Sequence, residues 1–150
     1  MTPVTPRTKT LRRLVSVVLA SAGALIPAGC SSSGDSQPAE AVEIDSATPA
    51  GEKARWIVGI LNADDDTTVA QWESELHDTF LAEVSAEDLV DLLNTNIRPA
   101  APYTVTAFDS SGAQSVTTLE SDVVDPMDMS VSLDDAGQIV GLWFGPTSAD

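Results

Sequence analysis

Apolar residues recur at helical spacing through the first half of the folded region and at alternate positions through the second. Trp56, Ile57, Ile60 and Leu61 form one stripe within residues 52–62, so an amphipathic helix is expected there. Glu52 near its start suits the helix dipole. Val69, Trp72, Leu76 and Phe80 then step by three or four, which predicts a second helix stopping near His77 or Asp78 and leaving residues 79–84 as a short packed segment. Asn62-Ala63-Asp64-Asp65-Asp66 separates the two, with an aspartate or Thr67 as cap. Ser85 followed by Glu87 and Asp88 opens a third helix, buried through Leu89, Val90, Leu92 and Leu93 and ended by residues 94–96 before Pro99.

From Pro102 the period becomes two. Tyr103-Thr104-Val105-Thr106-Ala107-Phe108 is a β-branched and aromatic run, and Asp109-Ser110-Ser111-Gly112 a turn. Residues 113–119 give a second strand, and Met127, Met129, Val131 and Leu133 alternate with polar residues as a third. Asp134-Asp135-Ala136-Gly137 is a hairpin turn. Residues 139–144 are apolar on both faces, with Ile139 and Trp143 on one and Val140, Leu142 and Phe144 on the other, as a central strand would be. The fold class expected is α+β, three helices packed on an antiparallel sheet of about four strands.

One further apolar stretch precedes this domain. Residues 14–28 follow Arg7, Lys9, Arg12 and Arg13 and lead into Ala28-Gly29-Cys30-Ser31-Ser32-Ser33. A basic region, a short apolar region and small residues before a cut define a secretory signal. Cys30, the one cysteine of the chain, stands where a bacterial lipoprotein carries its lipid. The usual leucine three residues before that cysteine is replaced by Pro27. The alternatives are an ordinary secretory cut after Ala22 or Ala24, or an uncleaved anchor. The apolar run is shorter than the ~20 residues a spanning helix needs. The expectation is a signal peptide over residues 1–29 and attachment to the outer face of the cell membrane through lipid on Cys30. Residues 31–50, with few large apolar side chains, read as a disordered tether, reaching roughly 25 Å as flexible chain. The α+β domain then runs over residues 51–147.

Charge narrows the partners. The formal net charge is −16, from 23 acidic and 7 basic residues. All the acids lie beyond residue 34, where only Lys53, Arg55 and Arg98 oppose them. Such a surface repels polyanions, so nucleic acid is excluded as a partner.

Candidate chemistry is sparse. His77, the single histidine, could act as a general base. Glu75 and Asp78 beside it favour a solvated helix end. Trp56, Trp72, Tyr103 and Trp143 could line an apolar ligand pocket, or simply fill the core. No metal or cofactor is expected. One histidine and one lipidated cysteine cannot build a zinc site, and neither Asp64-Asp65-Asp66 nor the region of Asp122, Asp125 and Asp128 has the glycine of an EF-hand loop.

Four segments together resemble a known family: Arg55-Trp56-Ile57-Val58-Gly59-Ile60-Leu61-Asn62, Phe80-Leu81-Ala82-Glu83-Val84-Ser85-Ala86-Glu87-Asp88-Leu89, Pro102-Tyr103-Thr104-Val105, and Gly137-Gln138-Ile139-Val140-Gly141-Leu142-Trp143-Phe144. They are similar to the N-terminal domain of LpqF-type lipoproteins and of the β-lactamase-like protein of clavulanic acid gene clusters. That resemblance implies a cystatin-like (NTF2-like) cone related to small isomerases and polyketide cyclases, preceding a serine hydrolase domain with a Ser-x-x-Lys nucleophile. The only lysines here are Lys9 and Lys53, and neither follows a serine by three residues. No nucleophile is carried over. The function expected is a non-catalytic, lipid-anchored accessory domain that binds an envelope protein or a small apolar ligand. An isomerase- or cyclase-type enzyme with an acid/base residue in an apolar pocket is the alternative.

Overall fold

Thr48-Pro49 starts the first helix, three residues earlier than the apolar stripe alone suggests. In a computed structural model that describes residues 40–147, α1 spans Pro49–Leu61. Thr48 is extended and its hydroxyl accepts from the Gly51 N–H, while Pro49 takes the first turn, where no N–H is needed. Ala50, Ala54, Ile57 and Leu61 form the buried stripe. The signal segment, Cys30 and residues 31–39 of the expected tether lie outside the described residues.

The last part of that tether belongs to the fold. The Val42 N–H donates to the Val105 carbonyl at 2.7 Å, and Ile44 is buried in the core. Residues 42–48 therefore form a strap leading directly into α1. Ile44 is the one large apolar side chain that low average hydrophobicity concealed.

The expected second helix is cut short, and a separate helical turn begins in the segment expected after it. α2 covers only Val69–Trp72, and α3 covers Asp78–Leu81. Between them the backbone is recruited by the sheet: the Ile139 N–H donates to the Glu75 carbonyl at 2.7 Å, and the His77 N–H to the Ile139 carbonyl at 2.9 Å. Those groups cannot also serve a continuous helix. α4, Ala86–Leu92, starts as expected from Ser85, whose hydroxyl accepts from the Asp88 N–H. It widens through a π turn at Leu93–Ile97 and then tightens into a 3₁₀ turn at Arg98–Ala100. Among the described residues, four α-helical segments thus replace the three expected.

The sheet is an antiparallel meander in the order β1-β2-β3-β4: Thr104–Ser111, Gln114–Glu120, Met127–Leu133 and Ile139–Pro146. Gly112 and Gly137, at φ 71° and 81°, provide the left-handed backbone of the two tight turns. β4 is an edge strand, not a central one. Its double-sided apolarity has another origin. Leu133 pairs with Ile139 and Ser132 with Gly141, so Val140 is an extra residue, a bulge. The bulge reverses the alternation. Leu142 and Phe144, opposite Val131 and Met129, share the core face with Ile139, and Trp143, opposite Ser130, points to the other side. Thr106 produces a similar slip in β1.

Helices cover one face of this sheet, with α1 against β1, β2 and β3 and α3 against β4. Trp72, Ile57, Leu61, Leu76, Leu93, Leu119, Met129 and Ile139 are fully buried between the layers. Among the described residues, no helix is long and apolar enough to cross a membrane.

Candidate functional site

Two asparagines hold the loops in place. The Asn62 side chain donates to the Tyr103 carbonyl at 2.9 Å and accepts from the Tyr103 N–H at 2.7 Å. Asn94 does the same for Thr67, at 3.0 and 3.1 Å. Each amide imitates a neighbouring strand and satisfies a backbone residue that has no regular partner. Arg98 braces this corner, donating to Asn94 and Asp66 at 3.0 Å and to the Ala63 carbonyl. Asp66 of the acidic run is therefore an ion-pair partner. In the other acidic region Asp128 accepts from Thr118 at 2.8 Å.

His77 is the cap of α3. Its Nδ1 accepts from the Thr79 N–H at 3.1 Å, and its Nε2 lies 3.7 Å from Asp134 in the β3–β4 turn. It does not line the groove beside β4. The buried polar residues among the described residues are Thr67, Ser115 and Thr117, none of them charged.

The four aromatic residues expected round one pocket are not brought together. Trp72 is fully buried and donates from its indole N–H to Thr67 at 2.9 Å. Trp56 packs edge-on against it, ring centroids 4.9 Å apart, with the Lys53 ammonium above the Trp56 ring. Tyr103 is buried elsewhere, its hydroxyl donating to the Ile97 carbonyl at 2.6 Å. Only Trp143, 52 % exposed, borders the main concavity.

Burial holds the Tyr103 hydroxyl above the ordinary tyrosine range. The unfolded chain then ionises first as pH rises past about 10, the folded chain retains its proton, and stability falls. Tyr103 is the one tyrosine of the chain, so phenolate absorbance reports it alone. Its titration should be displaced to alkaline pH relative to the unfolded protein. Tyr103→Phe should remove this contribution to the alkaline loss of stability.

The concavity is an open groove of about 600 Å³ between the helices and β4. One wall is Phe80, Val84, Leu89, Leu92 and Ile97, with Glu83 and Thr79 at its rim, and the other is five consecutive residues, Val140 to Phe144. Neighbouring residues of a strand point to opposite faces. A groove that touches all five therefore runs along the edge of β4 and reaches its backbone. Val84, Leu92 and Val140 are exposed, as is Trp143. Clusters of exposed large apolar side chains mark interaction sites more often than scattered ones do. Sequence patterning missed this groove because it assigned β4 to the centre of the sheet and Leu92 to the core.

Residues 44–139 match the family described as ORF 12 gene product N-terminal. The chain belongs to that family. The match begins at Ile44, inside the strap, in keeping with residues 42–48 being part of the folded unit of an ORF 12 gene product N-terminal domain. No curated protein matches the chain.

Proposed function

We propose that this domain is a non-catalytic binding module, held at the outer face of the cell membrane by lipid on Cys30, that takes an envelope protein or apolar ligand in the groove beside β4. The observation that carries the reading is a filled core next to an exposed apolar groove. An acid/base enzyme of isomerase type would need a titratable group inside an apolar cavity. The titratable side chain that borders the groove, Glu83, is exposed at its rim, and His77 is occupied as a helix cap beside Asp134. The cystatin-like cone, and service to a β-lactamase-like or penicillin-binding enzyme, rest on the resemblance to LpqF-type proteins. Helices on one face of a bulged meander are compatible with that cone.

Two substitutions test the groove. Val84→Asp and Leu92→Asp change exposed side chains, so stability should move by no more than about 0.5 kcal/mol. Uptake of Nile red, an uncharged apolar dye, should fall at least tenfold in both. Dye binding unchanged in both variants would sink the proposal for the groove. Attachment is tested separately: Cys30→Ser should move the protein from the membrane fraction to the soluble fraction, and persistence at the membrane would sink the anchor.

A further inference from the structure

The two edges of the sheet are unlike. On β1 the Val105 carbonyl is already taken by the Val42 N–H, and Asp109 places a charge along the strand. On β4 only Ile139 is paired outward, by residues 75–77. Beyond it, among the described residues, Val140 to Pro146 bond to nothing on that side. The stretch Gly141-Leu142-Trp143-Phe144-Gly145 carries no charge. Charged residues are a common protection of natural edge strands against pairing with another chain. Here the unpaired edge is instead the floor of an apolar groove.

The charges around the groove are of one sign. Glu83 lies on its wall, and Asp88 is one helical turn before Leu92 on α4. None of Lys53, Arg55 and Arg98, the three cations of the described residues, lines it. Lys53 is engaged with Glu75, and Arg98 with Asp66.

We infer that the groove receives an extended, cationic segment of a partner protein, which adds as a fifth strand to the free edge of β4. This rests on the binding function proposed above and specifies its mode. Backbone groups of the incoming segment pair with β4 between the Val140 bulge and Pro146. Side chains on one of its faces settle against Phe80, Val84 and Leu92. Lysine or arginine at alternate positions, with side chains long enough to reach round the rim, meets Glu83 and Asp88 on that same side. The like charge of two copies of this chain disfavours a self-paired edge.

The probe is the capped octapeptide Lys-Val-Lys-Val-Lys-Val-Lys-Val, titrated against the folded protein at low and high salt. The peptide should bind, and more weakly as salt rises. Its glutamate counterpart, with Glu in place of every Lys, should bind at least tenfold less. N-methylation of alternate residues along one peptide edge should weaken binding at least tenfold, and along the other edge should not. Leu92→Asp adds negative charge yet should weaken binding, which separates seating in the groove from diffuse attraction. Equal binding of the lysine and glutamate peptides, indifference to methylation on both edges, or dimerisation of the protein through β4 would overturn the inference. A groove that takes Nile red but not the peptide overturns strand addition and leaves the binding function standing. A groove that takes neither overturns both.

Discussion

Trp72→Ala is expected to lower the unfolding free energy by about 3–5 kcal/mol, the range for deleting a large buried aromatic side chain. Three losses combine. The indole is fully buried, so its removal leaves a cavity where α2 meets α4, beside Trp56 of α1. The edge-on contact with Trp56 disappears. So does the bond to Thr67, whose own hydroxyl donates to Gln71 Oε1 at 2.9 Å, the same oxygen that accepts the Thr68 N–H at 2.8 Å to start α2. A four-residue helix has little stability of its own and depends on that cap and that packing. A small domain loses roughly 4–8 °C of melting temperature per kcal/mol, so thermal unfolding reads the effect easily. Trp143→Ala is the matched comparison. Half of Trp143 is exposed, so less surface is lost and the expected cost is smaller, about 1–2 kcal/mol. Equal destabilisation by the two substitutions would contradict the placement of both tryptophans.

That pair also shows where sequence patterning stops. Spacing put Trp72 and Trp143 in one class, since each continues an apolar stripe, Trp72 by helical steps from Val69 and Trp143 within residues 139–144, and both are large. Helical periodicity was sufficient for α1 and α4, because each buries a stripe that a single helix defines. It failed after Trp72, where the helix expected to reach His77 or Asp78 ends. There the spacing remains helical, but two backbone bonds to Ile139 break the chain into two turns. The strands and both tight turns were legible because alternation and Gly112 and Gly137 are local signals. Strand order is not local. A strand apolar on both faces can be central, or it can be an edge whose bulge turns three residues inward and whose flank lines a groove. The bulge at Val140 leaves no mark in a run of apolar residues. The asparagine clasps escaped for the same reason: Asn62 and Asn94 look like ordinary loop residues until Tyr103 and Thr67, 41 and 27 positions away, are brought beside them. The groove was hidden because it depends on the edge.

One substitution made twice in α1 should have opposite signs. Gly59 is exposed, and a Cβ there meets nothing within 4 Å. Gly59→Ala should therefore stabilise by up to about 1 kcal/mol, through the entropy glycine costs inside a helix. Gly51 is buried, and a Cβ there would stand 1.9 Å from the Asp45 carbonyl oxygen. That oxygen is backbone and cannot swing aside as a side-chain tip would. Gly51→Ala must push the strap away from α1, and what it disturbs follows from the geometry: the seat of Ile44, the Thr48 cap and the Val42 bond to Val105. The expected loss is about 1–3 kcal/mol, as for other substitutions that overfill a packed site. Amide hydrogen exchange separates this from a general weakening. Protection should fall first at Val42 and Gly51, whose N–H groups bond across the strap, while the β2–β3 ladder keeps its protection until the whole domain opens. Stabilisation by Gly51→Ala, or loss of protection spread evenly over strap and sheet, would show that residues 42–48 do not pack as a part of the fold. The comparison needs no ligand, so it bears on the architecture independently of what the groove binds.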